Sequence, residues 1–247
     1  MIPARTFAAL GALAALALPQ PAAAQTVGKH GVLAPWILVA SQYRFDGISA
    51  SNNRPVLQGS LYWWRPDKTS VGVFVSQVDY RDPGKTSYEV DLYAGRHFDV
   101  KGTQVTLEAM YSAFPDNKTW GPTYDFLQTK VKARRSFEKL TLGGNVAWSP
   151  QAPYGSGEAW RVEAEAAYAV TPQLTLISRL GRRWIDKGHD RTFWEVGGRA
   201  QAKHAAFELR YVGTDLSRAQ CNYPRADCCS PAVVGTLILQ LPYVPVG

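Results

Sequence analysis

The stretch S-Y-E-V-D-L-Y-A-G-R-H-F at residues 87–98 alternates between two kinds of side chain. One parity is apolar or aromatic, at Tyr88, Val90, Leu92, Ala94 and Phe98. The other parity carries Glu89, Asp91, Tyr93, Gly95 and His97. A period of two is typical of a β-strand, in which successive side chains point to opposite faces. The stretch therefore predicts a strand with one apolar face and one face that bears two carboxylates and an imidazole.

The same alternation recurs along the chain and predicts about twelve strands, from residues 33–45 to residues 233–241. The connections after the odd strands are long, at residues 46–54, 115–123, 149–157 and 214–232. Those after the even strands are tight. The last strand is apolar on both parities, so its faces stay unassigned.

The first residues have the pattern of an export signal. Arg5 precedes an apolar run over residues 7–18, and three alanines end at Ala24. The run is shorter than the roughly 20 residues of a membrane-spanning helix. We therefore predict a cleaved secretory signal peptide over residues 1–24 and a single mature domain over residues 25–247.

Composition narrows the classes of protein that fit. The chain contains 8 Trp, 12 Tyr and 9 Phe among 21 Gly, which is typical of an all-β protein. Its net charge of +7 is spread along the sequence rather than gathered in one block. For an exported chain this distribution argues against nucleic acid as a partner.

Two features favour a transmembrane barrel over other β architectures: the alternation of long and short connections, and the charges on one parity of the strands. Transmembrane barrels have short turns at one end and long loops at the other, and their polar side chains face an interior that is able to hold water. We predict a closed, antiparallel, up-and-down transmembrane β-barrel of about twelve strands. Six tryptophans near predicted strand ends fit interfacial girdles: Trp36, Trp63, Trp64, Trp148, Trp160 and Trp184. The C-terminus ends in Gly247 and lacks the aromatic residue that closes many outer-membrane barrels, which stands against this fold.

Residues 43–59, Y-R-F-D-G-I-S-A-S-N-N-R-P-V-L-Q-G, resemble the opening signature of the TorF-like porin family of bacterial outer-membrane barrels. The matching positions are Tyr43, Arg44, Phe45, Gly47, Ile48, Ser49, Pro55, Gln58 and Gly59. E-V-D-L-Y-A-G at residues 89–95 is similar to a second segment of that family, and residues 211–215 with the Cys-bearing loop to a third. The resemblance implies a Gram-negative outer-membrane barrel with a transport role, and it brings no catalytic or binding residues.

Charged residues on the polar parity are the candidate functional residues, because charges inside a channel set ion selectivity. The predicted pore-lining residues are Glu89, Asp91, Glu108, Lys130, Lys132, Arg134, Arg161, Glu163, Glu165, Arg179, Arg183, Arg199, Glu208 and Arg210. Their slight basic excess suggests a weak preference for anions. Opposite charges of this kind are equally able to pair and fill the lumen.

The expected function is a porin for passive diffusion of small polar or ionic solutes, with outer-membrane lipid as its surroundings. Two alternatives stay open. One is a non-conducting surface barrel that acts as an adhesin or structural protein through its external loops. The other is a soluble periplasmic barrel that binds a ligand.

No arrangement of residues indicates an enzyme or a cofactor. The four His, at positions 30, 97, 189 and 204, have no metal-ligand spacing. The three Cys lie at positions 221, 228 and 229 without a His among them. They favour a disulfide from Cys221 to either Cys228 or Cys229 over a metal site.

Overall fold

The structure is a computed structural model that describes residues 28–118, 124–221 and 227–247. The predicted signal peptide, residues 1–24, lies outside the described residues. Among the described residues, no helix is long and apolar enough to cross a membrane. The helical turn Pro153–Gly155 is a single turn of 3₁₀ type.

Strands make up about two thirds of the described chain. The strands are β1 (Gly31–Ala40), β2 (Arg44–Phe45), β3 (Ile48–Ser49), β4 (Val56–Trp64), β5 (Thr69–Gln77), β6 (Tyr88–Val100), β7 (Thr103–Ala113), β8 (Phe126–Phe137), β9 (Leu140–Ser149), β10 (Ala159–Ala169), β11 (Leu174–Ile185), β12 (Arg191–Gln201), β13 (Ala205–Thr214), β14 (Ala232–Gln240) and β15 (Val244–Val246).

Twelve of these strands form a closed barrel. From β4 to β14 each barrel strand pairs antiparallel with the next one in the chain, and β1 pairs with β4 on one side and β14 on the other. The short strand β15 continues this seam by pairing with the first residues of β1. Closure leaves no barrel strand with an unpaired edge, so the predicted twelve-stranded antiparallel barrel is confirmed.

Loop lengths follow the predicted alternation. At one end the strands are joined by turns of two to four residues, such as Lys101–Gly102 between β6 and β7. Both residues of this turn have positive φ, 51° and 79°, which matches the right-handed twist of the flanking strands. At the other end the connections are longer, and the one over residues 41–55 contains the small hairpin of β2 and β3.

The predicted boundaries are exact for β10 and β11 and within a few residues for most of the others. The first predicted strand, residues 33–45, is wrong at its end. β1 stops at Ala40, and Arg44 and Phe45 belong to β2, which leaves the wall of the barrel. The faces of β14, which the sequence left open, are now defined. Val233, Leu237 and Leu239 are exposed on the outside, and the positions between them are turned inward.

The outside of the barrel is an apolar band with aromatic residues at both margins. Leu and Val side chains such as Leu92, Leu107 and Leu180 are exposed at mid-height. The margin at the long-loop end carries Tyr88, Tyr111, Trp160, Trp184 and Tyr211, and the margin at the short-turn end carries Phe98, Phe137, Tyr168 and Phe207. On β10 the two margins are eight residues apart, about 26 Å along a strand.

Two of the six tryptophans predicted for girdles do not belong to them. Trp36 lies at mid-strand and packs inside the barrel with its ring centroid 6.0 Å from that of Phe74. Trp64 packs against the His97 ring at 4.7 Å. Both have the parity of the inward-facing residues of their strands, which outweighs their position near a strand end.

The inside of the barrel has two unlike halves. Along β1, β4 and β5 it is filled by apolar and aromatic side chains, including Leu38, Tyr62 and Phe74. Along β7, β8 and β10 to β13 the inward positions include most of the charged side chains of the interior. The filled half explains why β14 is apolar on both faces, because its inward Ile238 joins the same cluster.

Close packing in the apolar half of the interior requires a glycine on β5. Gly72 on β5 pairs directly with Tyr62 on β4, and the Tyr62 ring lies over the glycine. A Cβ added at Gly72 would come within 2.5 Å of the ring. The ring therefore occupies the volume that any larger residue at position 72 would need.

We expect Gly72→Ala to destabilise the barrel by about 1–3 kcal/mol, since the Tyr62 ring would be forced off its position in a packed interior. The loss is measured as a lower midpoint of heat-induced unfolding in gel mobility. Gly59→Ala is the matched control on β4, because a Cβ there would make only an ordinary contact at 3.8 Å with the Trp36 carbonyl oxygen. Equal midpoints for the two variants would contradict the role of Gly72.

Candidate functional site: the charged half of the lumen

All fourteen residues predicted to line a pore have side chains on the inner face of the barrel. They alternate along their strands with the exposed apolar residues, and most of them are buried. The residues come from β6, β7, β8, β10, β11, β12 and β13. The charged half of the lumen therefore extends from β6 to β13, and β9 is the one strand of this range without a charged residue.

Carboxylates on this surface bridge cations of neighbouring strands. On β7, Glu108 contacts Lys132 Nζ at 2.9 Å and Lys130 Nζ at 3.4 Å. On β10, Glu165 contacts Arg134 at 3.2 Å and Arg179 at 3.6 Å. Each carboxylate thus compensates two cations, as buried charges require.

The network continues across β11, β12 and β13. Arg179 lies 3.0 Å from Glu195 and 3.3 Å from Glu163. Glu195 also contacts Arg210 at 2.9 Å. Glu208 of β13 pairs with Arg210 at 3.2 Å and with Arg199. Charge pairing inside the barrel is therefore extensive, as expected if opposite charges in the lumen pair with one another.

Glu89 and Asp91 of β6 are an exception. Among the described residues, no Lys or Arg lies within ion-pair distance of either carboxylate. Asp91 accepts a hydrogen bond from the Tyr93 hydroxyl at 2.7 Å, and Ser112 donates to Glu89 at 3.4 Å. The lumen therefore has an acidic wall on β6 that faces a predominantly basic wall on β8 to β12.

The hairpin of β2 and β3 reaches into the lumen from the loop between β1 and β4. Its turn is Asp46–Gly47, with φ of 48° and 81°, the geometry in which Asp-Gly joins two antiparallel strands. A Cβ on Gly47 would lie 2.4 Å from the Gly213 carbonyl oxygen of β13. Only glycine allows the hairpin tip to approach that strand so closely.

At the tip of the hairpin, Asp46 meets three arginines from the barrel wall. Its carboxylate lies 2.9 Å from Arg161 Nε, 3.1 Å from Arg183 and 3.3 Å from Arg191. Burial alone would raise the pKa of the Asp46 carboxyl, but the three guanidinium groups outweigh burial and hold the pKa well below its usual range. The three arginines therefore favour the ionised form of Asp46.

Aromatic rings fix the positions of two of these guanidinium groups. Arg161 lies over the rings of Phe193, at 4.9 Å, and Phe45, at 5.7 Å, while Arg183 lies 5.3 Å from the Phe45 ring. Stacking of a guanidinium on an aromatic face is favourable, and more so away from water. The hairpin thus contributes both the carboxylate and one of the rings.

The Cys-bearing loop supports the hairpin from outside. A disulfide joins Cys221 to Cys229, and the Cys228 Sγ lies 3.0 Å from that of Cys221. The Ser49 amide of β3 donates to the Cys228 carbonyl oxygen at 2.8 Å, and Ile48 packs against the cysteine cluster. The three cysteines therefore contact the hairpin through both residues of β3.

A cavity of about 660 Å³ runs between the hairpin and the charged wall. Its lining begins at Tyr154 and His189 in the long loops. It ends near the short turns at Gln104 of β7 and Arg134 of β8, which pair with each other one position from the end of the β7–β8 ladder. Among the described charged residues that line it, eight are Lys or Arg and five are Asp or Glu. The cavity spans nearly the height of the barrel, and its walls are on balance positive.

Sequence reasoning missed three residues of this site. Glu195 shares its parity with Arg199 on β12, so the alternation that identified the others also applied to it. Arg191 stands at the first position of β12 and looked like a loop residue. Asp46 opens the predicted connection over residues 46–54, although an Asp-Gly dipeptide is itself a hairpin signal.

Comparison with known families supplies a decisive match. The sequence profile of the family described as "Bacterial protein of unknown function (Gcw_chp)" matches residues 23–237. The chain belongs to this family. A comparison with curated proteins gives no match.

Solved structures with a similar fold include porins. The barrel is similar to "KdgM porin in complex with disordered oligogalacturonate", with a TM-score of 0.57 at 4% identity over 85% of this chain and 100% of that one. It is also similar to the NanC porin, with a TM-score of 0.56 at 9% identity over 86% and 100% of the two chains. At these identities the likeness concerns the fold.

We expect Asp46→Asn to loosen the hairpin, because removing one partner of a buried ionic cluster costs about 3–5 kcal/mol. Faster hydrogen exchange at the Ser49 and Ala50 amides, which bond to the Cys228 and Tyr43 carbonyls, is the readout. Asp67→Asn is the control, since Asp67 lies in an exposed turn at the opposite end of the barrel. Unchanged exchange in Asp46→Asn would contradict the anchoring role of this carboxylate.

Proposed function

We propose that the chain is an outer-membrane barrel that lets small polar solutes diffuse through its charged half, with a preference for anions. The single observation that carries this proposal is the inversion of polarity. Apolar side chains cover the outside, and a cavity with charged walls runs along the inside. This arrangement is typical of barrels that have lipid around them and water within.

The outer surface supports a location in a membrane. A continuous apolar band with aromatic margins at both ends would be an aggregation hazard in water. In a bilayer the aliphatic band contacts hydrocarbon, and the aromatic margins lie at the two interfaces. This favours a membrane barrel over the soluble periplasmic alternative.

Long loops at one end and tight turns at the other support an orientation with the turns in the periplasm. β1 begins and β15 ends at the tight-turn end, so both described termini lie there. Export through a cleaved signal peptide over residues 1–24 is the matching route and remains a prediction. The resemblance to TorF-like porins is the finer assignment that we propose within the family.

The balance of charges in the cavity supports the preference for anions. The positive excess comes from β8 to β12, whereas Glu89 and Asp91 lie together on β6. An anion therefore has a basic wall to follow along the barrel. The related fold of a porin whose structure is described with oligogalacturonate is consistent with passage of acidic solutes. This role requires no covalent chemistry and no cofactor.

The proposal is tested by inserting the folded mature protein into planar bilayers under a KCl gradient. We expect stepwise conductance and a reversal potential that reports chloride preference. Arg134→Gln, which removes a cation from the cavity wall, is expected to shift that potential toward potassium. Arg135→Gln is the matched control, because Arg135 is exposed on the outer face of β8.

A correctly folded barrel without conductance would contradict the channel function and favour the alternative of a surface protein that acts through its loops. Equal potentials for Arg134→Gln and Arg135→Gln would show that ions do not follow the charged wall.

A further inference from the structure

We propose that Arg161, Arg183 and Arg191 form a binding site for the carboxylate group of a solute, and that Asp46 occupies this site as an internal ligand when no solute is bound. This inference rests on the proposed function, which it deepens by naming a substrate class: small organic acids. It concerns one position in the lumen, at the long-loop end where β10, β11 and β12 meet the hairpin.

The three arginines carry more N–H donors than the Asp46 carboxylate is able to accept. Each guanidinium carries five N–H donors, and a carboxylate offers about four acceptor positions. Among the described residues, Asp46 is the one acidic side chain within ion-pair distance of Arg183 and Arg191. The Nε atoms of Arg183 and Arg191 are buried without a hydrogen-bond partner in the described part of the chain. The site therefore retains unused capacity for an anion.

The three arginines are held in place before any solute arrives. Each one starts from a different strand of the barrel wall, and the Phe193 ring of β12 stacks on Arg161 independently of the hairpin. Bidentate contact with a carboxylate is the interaction to which a fixed guanidinium is best suited. Preorganised donors of this kind lower the cost of binding.

The same arginines border the lumen, although each is largely buried. All three line the cavity, together with Phe45 and Ile48 of the hairpin. A solute that enters at the long-loop end would therefore meet this cluster near the start of the cavity. Its carboxylate would compete there with Asp46, whose tether gives it a high effective concentration.

Competition with a tethered carboxylate predicts a specific effect of mutation. Loss of the Asp46 charge leaves Arg183 and Arg191 without a carboxylate partner among the described residues, while Arg161 keeps its ion pair with Glu163. Affinity for a carboxylate solute should then rise, although a contact has been removed. If the arginines instead depended on Asp46 for their positions, affinity would fall in this variant, because the donors would no longer be held in place.

Isothermal titration of the folded, detergent-solubilised mature protein with galacturonate tests this inference. Galactose is the uncharged counterpart of the probe. We expect Asp46→Asn to bind galacturonate at least about tenfold more tightly than the unmodified protein, and neither to bind galactose. In the Asp46→Asn background, Arg183→Gln should abolish the gain, whereas Arg182→Gln should keep it, since Arg182 is exposed on the outer face of β11.

Unchanged or weaker galacturonate binding by Asp46→Asn would overturn the inference, as would an equal gain for galactose. Heat-modifiable gel mobility verifies folding of each variant, and Asp46→Ser provides a second removal of the charge if the first folds poorly. Binding is measured without current, so the outcome is independent of conductance. A folded barrel that shows the gain in galacturonate affinity but does not conduct contradicts only the channel function. A barrel that conducts but shows no gain in affinity contradicts only the role of Asp46 as an internal ligand.

Discussion

Charges that are enclosed by a closed sheet need compensation from within the barrel, and this constraint organises the whole interior. Once the apolar parity of each strand faces outward, the polar parity has nowhere to go but the lumen. Carboxylates such as Glu108 and Glu195 then bridge two cations each, across neighbouring strands. Where the wall has too few carboxylates, as around Arg183, the chain brings one from a loop.

Asp46 is that loop carboxylate, and its position explains the layout of the lumen. To reach the arginines of β10 to β12, the hairpin must leave the barrel wall and cross the interior. The aromatic and aliphatic side chains of β1, β4 and β5 fill the space behind it. The cavity remains on the other side, where the walls are charged. The ion pairs of Asp46 thus hold the hairpin between the apolar cluster and the cavity.

The sequence predicts the barrel well because alternation and loop length are local properties. Residues 87–98 show their two faces without reference to any neighbour, and the strands β10 and β11 are bounded by clear turns. The pairing of charges is less predictable, since it depends on register between strands. The docking of Asp46 onto Arg191, 145 positions away in the chain, has no periodic signal at all. The packing of Trp36 and Trp64 likewise depends on the face of the strand and on the residues around each ring, rather than on distance from a strand end.

The most direct test compares single-channel conductance in bilayers for the unmodified protein, Asp46→Asn and Asp67→Asn. If the Asp46 ion pairs hold the hairpin against the charged wall, Asp46→Asn should conduct more current per channel and favour chloride more strongly, while Asp67→Asn should behave like the unmodified protein. Equal conductance and selectivity in all three would contradict the account, because the hairpin would then neither narrow the lumen nor neutralise its basic wall.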